Sequence, residues 1–513
     1  AQQDNSTIRI IHRSTGWTIS EDDWESTAGG ESAHIAVDPE NNDIVYGGSY
    51  DGFLTRVNHE KETVRSISVW PDNPMGHGAE DMKYRFQWNF PIMFSSHNPN
   101  RLYTFSNHVH VTENEGQSWK VISPDLTRND PEKLKSSGGP ITQDNTSVEY
   151  YCTIFAAAES PLKEGLLWTG SDDGLVHVSR DGGNSWDNVT PKGMPEWMMI
   201  NSIEPSHFEE GTCYIAGTKY KSGDFAPYLY KTTDYGKSWT KITEGIADEH
   251  FTRVLREDPK KKGLLYAGTE IGMYISFNDG KNWKPFQLNL PIVPITDLAL
   301  KDNNLIVATQ GRSLWVIDDL TVLHQLNNSS TSSKSALFKP KDTYRMAGGS
   351  FKESKTEGTN HPSGVMTYFY LNELKEKDTV AITYFNSKND TIKSFSTTAN
   401  EEKDKLKDLK EGNNLFLWNM RGDGAEQLPS MILWWANLNA PKAVPGTYQV
   451  SLTKNGKEVG RESFAIKADP RSEATKQQMQ AQFDFITDVN KTVDRAHKSI
   501  KKIRKINDQL SAF

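Results

Sequence analysis

One phrase repeats six times within the first 320 residues, and it constrains the fold more than any other feature. Each copy has an apolar strand, a turn, a short strand ending in a small or polar residue, a third strand and a polar hairpin. The copies occupy residues 34–70, 90–123, 151–190, 201–243, 252–286 and 295–320. Because a single four-stranded sheet cannot bury both of its faces, neighbouring copies must stack around an axis. The pattern predicts a β-propeller with four-stranded blades, whereas a β-sandwich would leave the repeated phrase unexplained.

Four of the hairpins share a sharper motif, in which Ser or Thr is followed by Asp or Asn, then Gly, then Trp. At such a turn the Asp or Asn side chain accepts backbone hydrogen bonds, the hydroxyl adds another, and Gly takes the positive-φ position. The Trp is expected to pack between neighbouring blades. This Asp-box pattern predicts a structural role for twelve residues: Asn114, Gly116, Trp119, Asp181, Gly183, Trp186, Asp234, Gly236, Trp239, Asn278, Gly280 and Trp283.

Composition and charge argue against several classes of protein. A hydrophobic share of 35% with 14 Trp suits a β protein with much turn surface. The net charge of −9 argues against nucleic-acid binding, and no apolar run is long enough for a membrane span. No metal-ligand spacing is present, so we expect no metal and no cofactor. The two cysteines, Cys152 and Cys213, could form one bridge or stay free.

The pattern changes after about residue 321, where a polar linker at 327–334 begins. Strand-like segments then follow at 365–371, 379–385, 414–418 and 446–453, which predict a small immunoglobulin-like β-sandwich. Residues 472–510 carry apolar side chains at three- and four-residue steps, which predicts a long amphipathic helix. The predicted domains are a mainly β propeller of about six blades plus a partial first blade at 1–325, the sandwich at 335–468 and a C-terminal α-helix at 470–513.

Longer phrases outside the hairpins carry a family resemblance. They lie at residues 84–92 (YRFQWNFPI), 122–131 (ISPDLTRNDP), 253–259 (RVLREDP), 309–319 (TQGRSLWVIDD), 430–434 (SMILW) and 444–448 (VPGTY). Together with the hairpins they make the chain resemble the sortilin-like, BNR-repeat propeller proteins of bacteria, which are often labelled glycosyl hydrolases. The resemblance covers essentially the whole chain.

The resemblance has implications for location and partners. Family members are typically exported, which implies a periplasmic, cell-surface or secreted protein. Members usually carry more propeller before the point at which this chain starts, and they tend to continue past the final helix into a returning helix. The opening residues look like the middle of a blade strand, and the apolar stripe of 472–510 needs a partner. We therefore expect further propeller polypeptide, either as a longer precursor or as a second subunit.

Two sets of loops are expected on one face of the propeller, which we call the loop face: the loops entering each first strand and the loops joining second and third strands. The entry loops supply Arg85, Trp88, Asn89, Glu149, Tyr150, Asn201, Arg253 and Asp297. The other loops supply Asp51, His108, Asp172, Asp173, Lys219, Glu270 and Arg312. This composition suits a polar-ligand pocket, although such charges also pair with one another and with water. The predicted ligand-binding residues are Arg85, Trp88, Asn89, Tyr150, Arg253 and Arg312.

Two functions from different classes fit these residues. The first, which we favour, is a binding or scaffold module that recognises a glycan, a peptide or a partner protein on the axial face. The second is a glycoside hydrolase, which needs two carboxylates flanking the scissile bond. The candidate carboxylates are Glu149, Glu270 and Asp172, and a sialidase-like variant would add three arginines and Tyr150. The sequence alone identifies no catalytic set.

Overall fold

The computed structural model describes residues 2, 4–32, 34–146, 148, 150–326, 334–346 and 356–512. The chain divides into two compact units: unit 1 comprises Ala1–Ile10 and Asp22–Asp318, and unit 2 comprises Ile11–Glu21 and Asp319–Phe513. The segment Ile11–Glu21 belongs to unit 2, although its residue numbers lie within the predicted 1–325 domain. Its strand Thr18–Ile19 pairs with Gly358–Thr359 of that unit. The C-terminal helix belongs to unit 2 instead of standing alone, and the predicted linker lies almost wholly outside the described residues.

Unit 1 is a series of six antiparallel sheets, numbered here in chain order, whose strands pair in sequence order. Sheets 1 to 5 have four strands each and sheet 6 has three. Sheet 1 contains Ile35–Val37, Ile44–Gly48, Leu54–Asn58 and Thr63–Ser66; sheet 2 contains Ile92–Phe94, Leu102–Phe105, Val109–Thr112 and Lys120–Val121; sheet 3 contains Ile154–Glu159, Leu167–Ser171, Val176–Ser179 and Asp187–Asn188. Sheet 4 contains Met199–Pro205, Cys213–Lys219, Asp224–Thr232 and Thr240–Lys241; sheet 5 contains Thr252–Glu257, Leu265–Thr269, Gly272–Ser276 and Lys284–Pro285; sheet 6 contains Ile295–Lys301, Asn304–Thr309 and Leu314–Ile317.

Smaller elements complete unit 1. Two short hairpins pair Ile8–Ile10 with Trp24–Ser26 and Ser137–Gly138 with Gln143–Asp144. A single-turn helix, α1, spans Pro131–Leu134.

The inner strands are buried because sheets pack face to face with their neighbours in sequence. Every residue of Leu167–Ser171 and of Leu265–Thr269 is buried, whereas the outermost strands of sheets 2 to 5 are two exposed residues long. One apolar cluster joins sheets 4 and 5 through residues such as Ala216 and Leu255. Non-directional burial of this kind is the dominant favourable term in folding. The prediction of a mainly β fold built from four-stranded sheets is confirmed, and the arrangement is that of a β-propeller.

The hairpins between third and fourth strands repeat one set of hydrogen bonds in sheets 2 to 5. In sheet 3, Ser179 Oγ lies 2.9 Å from Asp181 Oδ1 and accepts from Gly183 N at 2.8 Å, while Ser185 N donates to Asp181 Oδ1 at 2.9 Å. Gly183 has φ +91°, and an added Cβ would lie 2.7 Å from the carbonyl oxygen of Ile122. The hairpin therefore requires glycine at this position.

Each motif tryptophan ties its hairpin to the preceding sheet. The indole N–H donates to the carbonyl of the residue that directly follows the preceding sheet's outer strand, at 2.7–3.0 Å. The four pairs are Trp119 with Ile67, Trp186 with Ile122, Trp239 with Val189 and Trp283 with Ile242. Trp283 is buried, whereas the other three indoles are partly buried. The hairpin end of unit 1 is thus a chain of equivalent links from each sheet to the one before it.

Unit 2 contains two sheets that share one apolar core. The three-stranded sheet contains Ala336–Leu337, Val365–Leu371 and Gly412–Trp418; the five-stranded sheet contains, in spatial order, Thr343–Tyr344, Lys457–Lys467, Gly446–Lys454, Val380–Phe385 and Thr391–Ser396. Trp418 of the first sheet stacks on Tyr384 of the second at 4.3 Å between ring centroids. Aromatic contacts of this kind fill the space between two packed sheets.

Two helices belong to unit 2. Helix α2 spans Thr321–Gln325 and helix α3 spans Lys476–Ser511. Thr475 caps α3 in a capping box with Gln478, which satisfies orphan backbone donors at the N-terminus. Met479 and His497 are the buried residues of α3, and Asn490 donates to the carbonyl of Asn439 at 3.1 Å. One side of α3 therefore contacts unit 2, and the long helix predicted from the apolar spacing is confirmed.

Candidate functional site

Two aromatic pairs lie on the loop face of sheets 3 to 5. The first is formed by Tyr151, which precedes the first strand of sheet 3, and Trp197, which precedes that of sheet 4. Their rings stack at 6.2 Å with an interplanar angle of 27°. The guanidinium carbon of Arg128 lies 4.6 Å from the Trp197 ring centroid, within cation–π range. We call Tyr151, Trp197 and Arg128 the first aromatic cluster.

The second aromatic cluster comprises Tyr220, Phe251, Arg253 and Glu270. Tyr220 begins a single turn, Tyr220–Ser222, between the second and third strands of sheet 4, and Phe251 precedes sheet 5. The two rings stack at 4.9 Å with an interplanar angle of 12°. The guanidinium carbon of Arg253 lies 5.5 Å from the Tyr220 centroid and 5.1 Å from that of Phe251.

A carboxylate orients the arginine of the second cluster. Glu270 Oε2 accepts from Arg253 Nε at 2.7 Å and lies 2.6 Å from Nη2. This two-point contact fixes the plane of the guanidinium group. Glu270 N in turn donates to the carbonyl of Phe251 at 3.0 Å, so the backbone of the two loops is joined as well. The cluster therefore holds two stacked rings, a cation and a carboxylate in one fixed arrangement, in which Phe251 is buried and the Tyr220 ring is partly exposed.

Two further carboxylates of the loop face are buried in sheet 3. Asp172 is 4% exposed and accepts from Thr153 N at 2.9 Å and from Thr153 Oγ1 at 2.8 Å. Burial raises the pKa of Asp172 to about 7. Asp173 accepts from Ser171 Oγ at 2.5 Å and from Arg128 N at 2.8 Å. Both side chains hold the loops of the sheet together, and Asp173 also positions Arg128 of the first aromatic cluster.

Of the site residues predicted from the sequence, some contact one another in the structure, and others contact different partners. Arg253 and Glu270 form the ion pair described above. Arg85 is buried and engages Asp125 at 2.7 Å and the carbonyl of Cys152 at 3.1 Å. Tyr150 is buried too, its hydroxyl donating to the carbonyls of Pro74 and His77, and burial raises its pKa to about 12.

The other predicted residues occupy varied settings. Arg312 is exposed and donates to the carbonyl of Gly311, Asn89 is exposed, and Trp88 is partly buried. Glu149 lies outside the described residues. Arg85 pairs with Asp125, and Arg253 pairs with Glu270. These contacts do not support a sialidase-like site in which three arginines bind the substrate together.

Sequence reasoning missed the aromatic half of both clusters. Tyr151, Trp197 and Phe251 all stand directly before a first strand, which is the entry-loop position used to select Arg85 and Tyr150. The signal was therefore present in the spacing, but the selection favoured charged residues. Tyr220 lies in the loop between the second and third strands of sheet 4, and sheet 1 has a similar single turn, Tyr50–Gly52, at the same place.

Comparisons with known proteins find distant similarities. The oligoxyloglucan-reducing end-specific xyloglucanase of Emericella nidulans is 21% identical over 325 residues, a match that covers 56% of this chain and 37% of that protein. The chain thus spans little more than a third of the length of this curated relative. No protein-family model matches the sequence.

Solved structures with low sequence identity resemble the chain as well. The GH74 xyloglucanase from Xanthomonas campestris is 12% identical with a TM-score of 0.40, covering 86% of this chain and 74% of that one. PorZ, a type-IX secretion component of Porphyromonas gingivalis, is 12% identical with a TM-score of 0.39, covering 85% and 52%. YCF48 from Cyanidioschyzon merolae is 12% identical with a TM-score of 0.39, covering 61% and 94%. These are propeller proteins.

The described residues contain no group of three or more His, Cys, Asp and Glu side chains placed to hold a metal ion. None of the described helices is both long and apolar enough to cross a membrane. Cys152 and Cys213 are buried and unbridged, and burial raises the pKa of the Cys152 thiol to about 12. Neither thiol is poised for nucleophilic chemistry.

Proposed function

We propose that unit 1 is a carbohydrate-binding propeller that holds a glycan chain across the two aromatic clusters of the loop face. The observation that carries the proposal is the second cluster, where stacked rings adjoin an oriented arginine and carboxylate. Sugar rings present an apolar C–H face, which packs on aromatic rings, and hydroxyl groups, which bond to charged side chains. The curated relative acts on xyloglucan, as its name states, which makes a β-glucan backbone the first ligand to test.

Binding is tested with a panel of soluble polysaccharides: xyloglucan, mixed-linkage β-glucan, mannan and pullulan. Affinity electrophoresis and titration calorimetry should show binding to at least one of them. Trp197→Ala and Tyr220→Ala should each weaken that binding about tenfold, because an aromatic contact contributes about 1–1.5 kcal/mol beyond its buried area.

The matched control is Tyr344→Ala, which removes an exposed tyrosine of unit 2. It should leave the affinity unchanged. Equal loss in all three variants, or no binding to any polysaccharide while a peptide or protein ligand binds at the same loops, would contradict the proposal.

A glycoside hydrolase is the second candidate function. One observation favours it: burial keeps the carboxyl of Asp172 protonated up to about pH 7, as a general acid requires. Against it, Asp172 is almost fully buried and already accepts two hydrogen bonds from Thr153. Release of reducing ends from xyloglucan, abolished by Asp172→Asn or Glu270→Gln, would establish the hydrolase.

We further propose that the chain is exported and acts with additional propeller polypeptide, within a sortilin-like BNR-repeat architecture in which an immunoglobulin-like sandwich and the helix α3 follow the propeller. Glycan polymers are met outside the cell, which suits export. Sheet 6 has three strands where the others have four, and Leu314 and Val316 of its outer strand are 50% and 40% exposed. Sizing of native material tests the partner: a lone monomer of 57.8 kDa would contradict it.

A further inference from the structure

A loop of unit 2 exposes two tryptophans and an isoleucine almost completely. Ile432 is 80% exposed, Trp434 is 88% exposed and Trp435 is 96% exposed. The loop tip is a formed turn, since Met431 N donates to the carbonyl of Leu428 at 3.2 Å and Ala436 N to that of Leu433 at 2.8 Å. Indole rings exposed to water do not contribute the large hydrophobic free energy that their burial would give. Their exposure therefore needs an explanation.

The loop is anchored to the C-terminal half of helix α3. Glu426 N donates to Asp494 Oδ1 at 2.7 Å, and the Glu426 carbonyl bonds His497 Nδ1 at 2.5 Å. The Glu426 side chain also pairs with Lys501. Further along the loop, the Pro429 carbonyl accepts from Arg504 at 3.4 Å. The base of the loop that carries the exposed indoles therefore lies beside this half of the helix.

The side of α3 turned away from unit 2 carries two rows of exposed side chains. At 100° per residue, one row is apolar and the next is basic. The apolar row comprises Phe485, Val489, Ile500, Ile503, Ile506 and Leu510, each between 36% and 70% exposed. The basic row comprises Lys491, Arg495, Lys498, Lys502 and Lys505, all exposed.

The basic row is unusual in a chain of net charge −9. No Asp or Glu occurs between Asp494 and Asp508, a stretch that holds six Lys and Arg residues. Among the described residues, the structure shows no ion pair for Lys498, Lys502 or Lys505. A local excess of unneutralised cations beside an apolar row selects for an anionic partner surface.

We propose that the Trp434–Trp435 loop and the exposed side of α3 form a peripheral docking surface for an anionic lipid bilayer. Tryptophan is the residue favoured at the boundary between head groups and acyl chains. An amphipathic helix with Ile and Leu on one side and Lys and Arg beside it lies flat in that same zone. The helix does not cross the membrane in this arrangement, and the surface is independent of carbohydrate binding by unit 1.

A second copy of the chain would leave the basic row without a partner. At 100° per residue the basic row is centred about 120° around the helix from the apolar row, so two copies that paired their apolar rows would turn their cations away from the contact. An anionic bilayer accepts the apolar row, the cations that flank it and the loop indoles together.

The experiment is cosedimentation of the full chain with two kinds of vesicle, phosphatidylcholine alone and equal parts of phosphatidylcholine and phosphatidylglycerol. The chain should sediment with the anionic vesicles and much less with the neutral ones, and added salt should weaken the binding. The triple variant Lys498→Glu, Lys502→Glu, Lys505→Glu should lower the partition coefficient at least about tenfold, because three cations attracted to the anionic surface become anions that it repels. Trp434→Ala with Trp435→Ala should lower it by about the same factor.

Two matched controls accompany these variants. Trp17→Ala removes another tryptophan of unit 2 that is 79% exposed. Lys377→Glu, Lys388→Glu, Lys457→Glu reverses three exposed lysines elsewhere in unit 2. Both should bind like the parent chain. Absence of binding to the anionic vesicles, equal loss in the controls, or binding only to an acidic amphipathic peptide would overturn the proposal. The single variant Lys502→Glu provides the same comparison if the triple variant misfolds.

Discussion

The two ends of the sheets in unit 1 differ in how much they repeat. At the hairpin end, sheets 2 to 5 share one set of hydrogen bonds, and each tryptophan donates to the sheet before it. At the loop end, the same sheets carry two aromatic pairs with an arginine, two buried carboxylates and a buried arginine, each with a different set of partners. Repetition therefore identifies what the fold needs, and variation identifies where a ligand can be selected. Predictions that separate stability from binding test this division.

The largest expected effect is a loss of stability on substitution of Trp283, the most buried of the four motif tryptophans at the hairpin end. Trp283 is 3% exposed and its indole N–H donates to the Ile242 carbonyl at 2.7 Å. Trp283→Ala should lower the free energy of unfolding by about 3–5 kcal/mol, because it leaves a cavity between sheets 4 and 5. Denaturant unfolding measures the loss. Glycan affinity of the folded fraction should be unchanged, and a parallel loss of affinity would show that the two ends are not separable.

A smaller loss of stability is expected when a hydroxyl group at the same end is removed. Ser179 Oγ accepts from the buried Gly183 N and lies within hydrogen-bond distance of Asp181. Ser179→Ala should cost about 1–3 kcal/mol, since a buried N–H loses its partner. Ser185→Ala is the comparison, because its hydroxyl is exposed and bonds the same Asp181. A cost at Ser185 as large as that at Ser179 would contradict the role assigned to burial.

At the loop end, Arg253→Ala should change binding more than stability. The side chain pairs with Glu270 and lies over two stacked rings, all within the proposed glycan site. We expect about a tenfold loss of affinity by calorimetry, with a shift in the unfolding midpoint smaller than that of Trp283→Ala. Arg65→Ala, which removes an arginine at the outer strand of sheet 1, should leave the affinity intact.

A further expected effect is a pH dependence with opposite signs at the two ends of sheet 3. Burial raises the pKa of Asp172 from 3.8 to about 7, so its contribution to stability declines as the pH rises from about 4 to about 7. Hydrogen bonds from Ser185 lower the pKa of Asp181, so its contribution is present above pH 3.8 and is lost as the pH falls through the lowered value. Unfolding measured from pH 4 to pH 8 should lose the first slope in Asp172→Asn. Retention of that slope would show that another group titrates.

Much of the hairpin end could be predicted from the sequence, and little of the loop end. The motif around Asp181, Gly183 and Trp186 is local, so the hydrogen bonds of the turn follow from residue types at fixed spacing. The cluster of Tyr220, Phe251 and Glu270 joins loops separated by many residues, so it depends on how neighbouring sheets pack. Arg85 shows the limit of selection by loop position, since its loop is on the predicted face but its side chain is buried against Asp125.

In unit 2, too, the sequence predicts the helix but not which of its residues are buried. The three- and four-residue spacing predicts α3, and the capping box formed by Thr475 and Gln478 is visible as a pattern of residue types. The spacing does not show which apolar residues face the protein, because Met479 and Ile503 belong to the same predicted stripe yet one is buried and the other 57% exposed. That distinction depends on which side of the helix packs against the rest of unit 2, and no local pattern shows this.

The tryptophan links give unit 1 a direction. Each link is made by a hairpin with the sheet that precedes it in the chain, so its acceptor has already been synthesised when the donor emerges. Assembly can therefore proceed from sheet 1 toward sheet 5, as in a linear array with nearest-neighbour coupling. In such an array a defect is not shared evenly: loss of the carbonyl acceptor at one sheet first weakens the next sheet on its C-terminal side.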